Sequence, residues 1–504
     1  MKISNLIKSS CLAVTAMPVA AHAQQTPNIV FFYADDMGYS DLQCYGSTLN
    51  DTPNLNQLAN DGIRFTDFYA AAPVSSPSRA GLLTGRYPSR IGINHVFFTN
   101  SFTGLPQEEV TIAEILKEQG YATAIYGKWH LGNDYDFLPR RQGFDEFYGT
   151  FGSIDMAPFV YIDNDKPQSK IANKDSTTIT YTEKAIDFIN RKKDQPFFLY
   201  LPYNMPHVPI AASSRFKGSS RNGLYGDVIA ELDWSVGEIV KRIDELGLGE
   251  NTIICFSSDN GPWLQEGPYG GQALPLYQGK GTTWDGGQRV PMIVRWKGHI
   301  TPGRTECSVG LMTDWLPTFA HLAGAKVPAD RVIDGYDISS VLLNKGRRSN
   351  QDVAYISFGQ LEAYRSGDWK LILPHKKVNG NFWMEDIPAH DTLLINFRHD
   401  IAERHDLSKK HPEIVSLIVN KIDSFKATGY QGAPIFLTEH GTQSLTEQQR
   451  LKNVFDAIEK GVRPKSVRGE QQAEYYKAIQ KYQQQGAALQ TDVDSAVNKV
   501  FNIK

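Results

Sequence analysis

Four apolar runs in this chain end abruptly in residues able to do chemistry. Asn28-Ile29-Val30-Phe31-Phe32-Tyr33 is followed by Asp35-Asp36, Ala122 to Tyr126 by Lys128-Trp129-His130, Pro196 to Leu201 by His207, and Thr252 to Phe256 by Asp259-Asn260. Asp35, Asp36, Asp259 and Asn260 are hard oxygen donors. Carboxylates gathered at one point repel each other unless a cation lies between them, and oxygen-only ligation suits Ca²⁺ or Mg²⁺. A lone Asp-Asp pair more often caps a helix or holds a turn. The second pair at an equivalent strand end shifts the balance to a metal. A fifth segment, Ser75-Ser76-Pro77-Ser78-Arg79, reads as a helix start, because Pro77 lacks only an N–H that would be unpaired there anyway. Residue 75 then sits where backbone N–H groups favour an anion, and Arg79, one turn on, can aim at the same spot. Taken alone, that serine would be an ordinary N-cap.

These residues act together only if the fold converges them. The apolar runs read as strands, and helical patterns such as Thr111 to Gln119 and Tyr225 to Leu246 lie between them. Strands spaced by helices predict a large, mostly parallel α/β sheet sandwiched by helices. Ligands in such sheets bind at the carboxyl ends of the strands, so all four polar sets should meet in one crevice. Beyond residue 350, Asp352 to Phe358, Ala363 to Leu373 and Thr392 to Asn396 read as short strands of an antiparallel sheet, followed by a helix from Pro412 to Ala427. The organisation expected is a catalytic domain over 24–348, a smaller α+β domain over 349–440, and a polar extension over 441–504. The extension carries a Gln-rich helical pattern (Glu470 to Gln485) that is also compatible with a partly disordered tail.

A chain of 504 residues with net charge -3 has no global field for nucleic acid or an anionic membrane. An anionic substrate must be held by local cations. At the N-terminus, Lys2 and Lys8 precede a short apolar stretch, Cys11 to Ala20, and an Ala21-His22-Ala23 cleavage pattern. That stretch falls far short of the roughly 20 residues a membrane span needs. Residues 1–23 therefore read as a signal peptide, placing the mature chain in the periplasm or outside the cell without membrane insertion. Cys44, Cys255 and Cys307 would remain, allowing at most one bridge. Cys255, inside a strand pattern, reads as a buried free thiol.

The segment Ser75 to Gly85 (S-x-P-S-R-x-x-x-x-T-G) resembles the signature of the type I, formylglycine-dependent sulfatases. So do Asn28 to Asp41 (NIVFFYADDMGYSD), Gly127 to Gly132 (GKWHLG), Ser258 to Pro262 (SDNGP) and Gly279 to Pro291 (GKGTTWDGGQRVP). Five ordered motifs carry the resemblance across roughly residues 26 to 430. It implies the alkaline-phosphatase-like fold. The residue matching Ser75 is oxidised to formylglycine by a sulfatase-maturating enzyme, of a radical type where the precursor is serine. One hydroxyl of its hydrate attacks sulfur, and the other later lets sulfate leave. Asp35, Asp36, Asp259 and Asn260 match ligands of one Ca²⁺, with residue 75 and the sulfate completing the shell. Arg79 and Lys128 match groups holding the formylglycine. His130 matches the residue that takes the hydrate's proton, His207 the general acid at the leaving oxygen, and Lys280 a lysine on the sulfate. Asp285 stands where relatives more often have Glu. The implied substrate is a sulfated oligo- or polysaccharide, for which His95, Arg140, Arg141 and Trp263 are candidate rim residues. Two other readings stay open: a phosphatase or phosphodiesterase using unmodified Ser75, and a catalytically silent glycan-binding protein.

Overall fold

The computed structural model describes residues 26–430, apart from 99–102, 157–158, 379, 381–382 and 385. The signal peptide read at 1–23 and the extension at 441–504 lie outside the described residues. In chain order the strands are β1 (Asn28–Ala34), β2 (Ile63–Phe65), β3 (Phe68–Tyr69), β4 (Ala122–Lys128), β5 (Glu146–Thr150), β6 (Val160–Asp163), β7 (Lys166–Ile171), β8 (Phe197–Pro202), β9 (Thr252–Ser258), β10 (Met292–Trp296), β11 (Arg304–Glu306), β12 (Gly310–Leu311), β13 (Asp352–Ser357), β14 (Gln360–Ser366), β15 (Trp369–Ile372) and β16 (Leu393–Asn396). The α-helices are α1 (Pro53–Asn60), α2 (Ser75–Thr84), α3 (Ile112–Glu118), α4 (Thr177–Lys192), α5 (Gly223–Glu245), α6 (Asp285–Gln288), α7 (Trp315–Ala323), α8 (Ser339–Leu342) and α9 (Pro412–Ala427).

Ten strands form one sheet in the order β11-β2-β10-β9-β1-β8-β4-β5-β6-β7. Its centre, β9-β1-β8-β4-β5, is parallel throughout. A parallel centre must be covered on both faces, so its strands are continuously apolar. Alternate β1 residues accordingly feed two cores. Ile29, Phe31 and Tyr33 pack with α2, α3 and α7, whereas Val30, Phe32 and Ala34 pack with α1, α4 and α5. Among the described residues, no helix is long and apolar enough to cross a membrane. Cys44, Cys255 and Cys307 are free thiols, and Cys255 is buried.

The second sheet, β13-β14-β15-β16, is antiparallel throughout and carries α9. Its core also includes Tyr69, Tyr87, Val309 and Leu311, which lie before it in the chain, so the second sheet packs on the main body through one apolar interface. The expected strand Ala363 to Leu373 is instead two strands, β14 and β15. Ser366 pairs with Trp369, leaving Gly367-Asp368 as a two-residue hairpin loop, and Gly367 adopts φ 59°. That left-handed backbone is open to glycine at little cost. An apolar count along the chain runs straight through the turn.

Candidate active site

Ala34 at the end of β1 lies in register with Ser258 at the end of β9. The residues just beyond, Asp35 and Asp259, therefore emerge side by side. The Asp259 amide donates to the Ala34 carbonyl (3.1 Å), and the Asp36 amide donates to Asp259 Oδ1 (3.0 Å). One oxygen from each of Asp35, Asp36 and Asp259 lies within 4.8 Å of the others. From α2, Ser75 Oγ donates to Asp259 Oδ2 (2.6 Å) and lies 3.1 Å from Asp35 Oδ1. Arg79, one turn further, reaches Asp259 Oδ2 (2.7 Å) and Asp35 Oδ1 (3.2 Å). Lys128, at the end of β4, donates to both Asp35 oxygens (2.7 and 2.8 Å) and to Ser75 Oγ (3.0 Å). Lys280 Nζ lies 2.6 Å from Asp36 Oδ2, and His207 Nε2 lies 3.5 Å from the same oxygen. The three carboxylates thus face three cations, all buried.

Burial in so crowded a place shifts protonation. Desolvation pushes the Asp35 carboxyl up, but Lys128, His207 and Arg79 together hold it below its ordinary value. Burial pulls the Lys128 ammonium down against the pull of Asp35. Burial, then the charges of Lys128 and Arg79, holds His130 well below the usual imidazole range, so this ring is neutral. Its Nε2 lies 2.8 Å from the Phe97 carbonyl, which can only accept, so Nε2 carries the hydrogen. Nδ1 is then a bare lone pair, buried and without a hydrogen-bond partner among the described residues. That is the electronic state of a base awaiting a proton.

Asn260 supplies the test of a cation. Its Nδ2 donates to Asp36 Oδ1 (2.7 Å) and the Gly261 carbonyl (2.9 Å), which fixes the amide orientation. Its Oδ1 is buried with no hydrogen-bond partner among the described residues. An orphaned oxygen beside three clustered carboxylates fits a hard divalent cation. Asp36 (φ 65°) and His130 (φ 58°) also hold left-handed backbone, which non-glycine residues adopt only where surrounding contacts impose it.

Of the rim candidates, Trp263 is buried against this centre. Its ring meets His207 edge-on (5.5 Å between centroids), and the Lys280 ammonium sits 4.5 Å from its centroid. His95 is exposed, its ring 6.1 Å from that of Phe97, whose carbonyl orients His130. Arg140 and Arg141 pair instead with Asp165 (2.7 and 3.2 Å) in the β6–β7 turn, at the edge of the main sheet. Sequence reasoning missed three contributors. Asp155, past the end of β5, has Oδ1 3.9 Å from His207 Nδ1. Its position after a strand was a usable signal. The Phe97 carbonyl had none. Trp383, from the β15–β16 connection, joins Val74, Val96 and Trp263 in an apolar collar around the polar centre. A cavity of about 500 Å³ opens beside His207, lined by Asp155, Val208, Ile210, Trp263, Glu266 and Tyr269 among others.

A parallel sheet whose strand ends gather metal-type carboxylates around a hydroxyl at a helix N-terminus defines an alkaline-phosphatase-like hydrolase. The family model Sulfatase matches residues 27–325. N-acetylgalactosamine-6-sulfatase of Mus musculus is 40% identical over 394 residues, covering 73% of this chain and 75% of that protein. Arylsulfatase A of Homo sapiens is 36% identical over 478 residues, covering 88% and 90%. The solved structure of Ps i-CgsB, in complex with k-i-k-neocarrahexaose, is 30% identical with a TM-score of 0.73, covering 86% of this chain and 99% of that one. The chain belongs to the sulfatase family and is a sulfuric ester hydrolase.

Proposed function

We propose that this enzyme removes sulfate from a sulfated sugar, using a formylglycine derived from Ser75 and one Ca²⁺ held by Asp35, Asp36, Asp259 and Asn260. The observation that carries this reading is the convergence on the Ser75 hydroxyl of Asp35, Asp259 and Lys128 at the N-terminus of α2. A hydrated aldehyde at position 75 would supply both a nucleophile and an internal route for sulfate release. A bound cation would neutralise charge on the sulfate oxygens. Arg79 and Lys128 hold residue 75 and the carboxylates around it in place. His130, neutral with Nδ1 unprotonated, takes a proton from residue 75. His207, with Nδ1 2.5 Å from the Val208 carbonyl, is oriented to donate a proton from Nε2 to the leaving sugar oxygen. Lys280 offsets charge on sulfate as the bond to sulfur breaks. The adjoining cavity beside His207 would receive the leaving sugar.

The sugar is supported by the relatives: one is named for N-acetylgalactosamine 6-sulfate, and another was solved with k-i-k-neocarrahexaose. The rest of the reading comes from sequence: a catalytic domain over 24–348, a smaller domain over 349–440, export directed by residues 1–23 to the periplasm or beyond, and maturation by a sulfatase-maturating enzyme. The test is hydrolysis of matched sulfate and phosphate esters of one sugar, before and after chelation. Sulfate-ester cleavage lost on chelation and restored by Ca²⁺ is expected. Preference for the phosphate ester, or indifference to chelation, would overturn the reading.

A further inference from the structure

Lys280 reaches the carboxylate cluster from a loop, 279–285, that is held from two sides. The first domain grips its start: the Lys280 amide donates to the Pro262 carbonyl (2.9 Å) and the Gly281 amide to the Pro73 carbonyl (2.9 Å). Tyr69 of β3 also donates to Asp285 Oδ2 (2.9 Å), and the remaining side-chain bonds to residues 281–285 come mainly from the second sheet and its loops. Ser357 Oγ, closing β13, lies 3.4 Å from the Gly281 carbonyl. Glu362 of β14 accepts from Thr283 Oγ1 (2.7 Å). Lys370 of β15 donates to the Thr283 carbonyl (2.7 Å), to Asp285 Oδ1 (3.2 Å) and to Glu403 Oε1 (2.6 Å). Glu403 Oε2 in turn accepts from the Asp285 amide (2.7 Å), and Tyr355 donates to Asp285 Oδ1 (2.8 Å). Gly281 adopts φ 85°, and a Cβ there would meet Trp383 at 3.2 Å.

The arrangement is too specific for simple adhesion between domains. An ammonium has three donors, and Lys370 spends all three on this loop and on the glutamate that also holds it. Lys370 and Glu403 are fully buried, where one satisfied pair costs more to build than an apolar contact of the same size. Apolar packing already joins the two units through Tyr69, Tyr87, Val309 and Leu311, and seats Trp284 of the loop against the same core. What the polar set adds is direction, since it fixes a carbonyl, a hydroxyl and an amide within five residues of Lys280. A flexible lysine on a loop loses its value when the loop shifts by even about 1 Å, which can cost up to roughly a hundredfold in rate.

We propose that the second sheet is part of the catalytic apparatus, with Lys370, Glu403 and Glu362 as positioning residues that hold the 279–285 loop so that the Lys280 ammonium meets the sulfate. The inference rests on the role given above to Lys280, and a kinetic double-mutant cycle separates the two. Lys370→Met and Thr283→Val are each made alone and in a Lys280→Ala background, and kcat/KM is measured on a sulfated sugar at a temperature where every variant is folded. Each is expected to lower kcat/KM by about tenfold or more alone, and by less than about twofold once Lys280 is gone. Equal losses in both backgrounds, or no loss from either single variant, would overturn the proposal. If Lys370→Met does not fold, Thr283→Val carries the cycle, because it exchanges a hydroxyl for a methyl of similar shape. A Lys280→Ala enzyme with wild-type kcat/KM would instead remove the role of Lys280 itself.

Discussion

Two of the buried charge clusters among the described residues differ in how completely they are satisfied. At the strand ends, Asp35, Asp36 and Asp259 face Arg79, Lys128 and Lys280, yet Asn260 Oδ1 and His130 Nδ1 are left without hydrogen-bond partners among the described residues. Behind it, Asp285, Glu403 and Lys370 form a closed set. Asp285 accepts from Tyr355 and Lys370 on one oxygen and from Tyr69 (2.9 Å) on the other. Both Glu403 oxygens and all three Lys370 donors are engaged. Buried polar atoms are normally paired because an unpaired one costs about 1–3 kcal/mol. Saturation marks the second cluster as a brace. In the first, the orphaned oxygen of Asn260 beside three carboxylates fits a cation, and the bare Nδ1 of His130 fits a proton acceptor.

The sharpest way to break this contrast is to remove the hydroxyl that the open cluster surrounds. Ser75→Ala should lower kcat by about 10⁴-fold or more, with only a small change in thermal midpoint. A modest kinetic loss would mean that residue 75 is not the nucleophile.

Next comes the leaving group. His207→Ala should lower kcat on a sugar sulfate by about 10²–10³-fold, but on an activated aryl sulfate by less than about tenfold, because a phenolate leaves without a proton. Equal losses on both would make His207 a sulfate-positioning residue.

The closed cluster should respond in stability. Glu403→Gln removes one partner of a fully buried pair and should cost about 3 kcal/mol in urea unfolding, with calcium affinity unchanged. A fall in calcium affinity would mean that Glu403 acts on the metal-type carboxylates as well as on the 279–285 loop.

A smaller effect concerns Asp41, whose carboxylate holds the turn behind Asp36 by accepting from Gly38 N (2.7 Å), Gln272 N (3.0 Å) and Tyr225 OH (2.7 Å). Burial, opposed by those hydrogen bonds, raises its pKa to about 7. An acid that binds its proton more tightly when folded contributes stability at low pH, and loses it as pH rises from the unfolded value near 4 to about 7. Asp41→Asn should flatten that slope in unfolding free energy against pH. An unchanged slope would place the titration elsewhere.

Much of the open cluster is legible along the chain because its residues sit directly after continuous apolar runs. The parallel sheet then does the converging, as with Asp35 beside Asp259. Of the closed cluster, only Asp285 lies in a legible motif. Glu362, Lys370 and Glu403 are single residues in ordinary strand or loop surroundings, brought together by tertiary packing alone. Spacing alone also does not show which way a loop side chain turns. Arg140 and Arg141 follow the β4 end at a distance that suggests the pocket rim, and the structure pairs both with Asp165 at the sheet edge. Losing both arginines should leave sugar-sulfate hydrolysis within about twofold, since both guanidinium groups are engaged by Asp165 in the β6–β7 turn. A large, sugar-specific loss would restore them to the rim.

In the function proposed above, Ser75 is a formylglycine precursor at a cation-binding centre. Tryptic cleavage after Arg64 and Arg79 releases a peptide beginning at Phe65 that contains residue 75. Its mass should be measured on active enzyme matured in its own host. The account predicts a peptide two hydrogens lighter than the serine form and reactive toward a carbonyl-trapping hydrazide. An unmodified serine in enzyme that still turns over sulfate esters would contradict it.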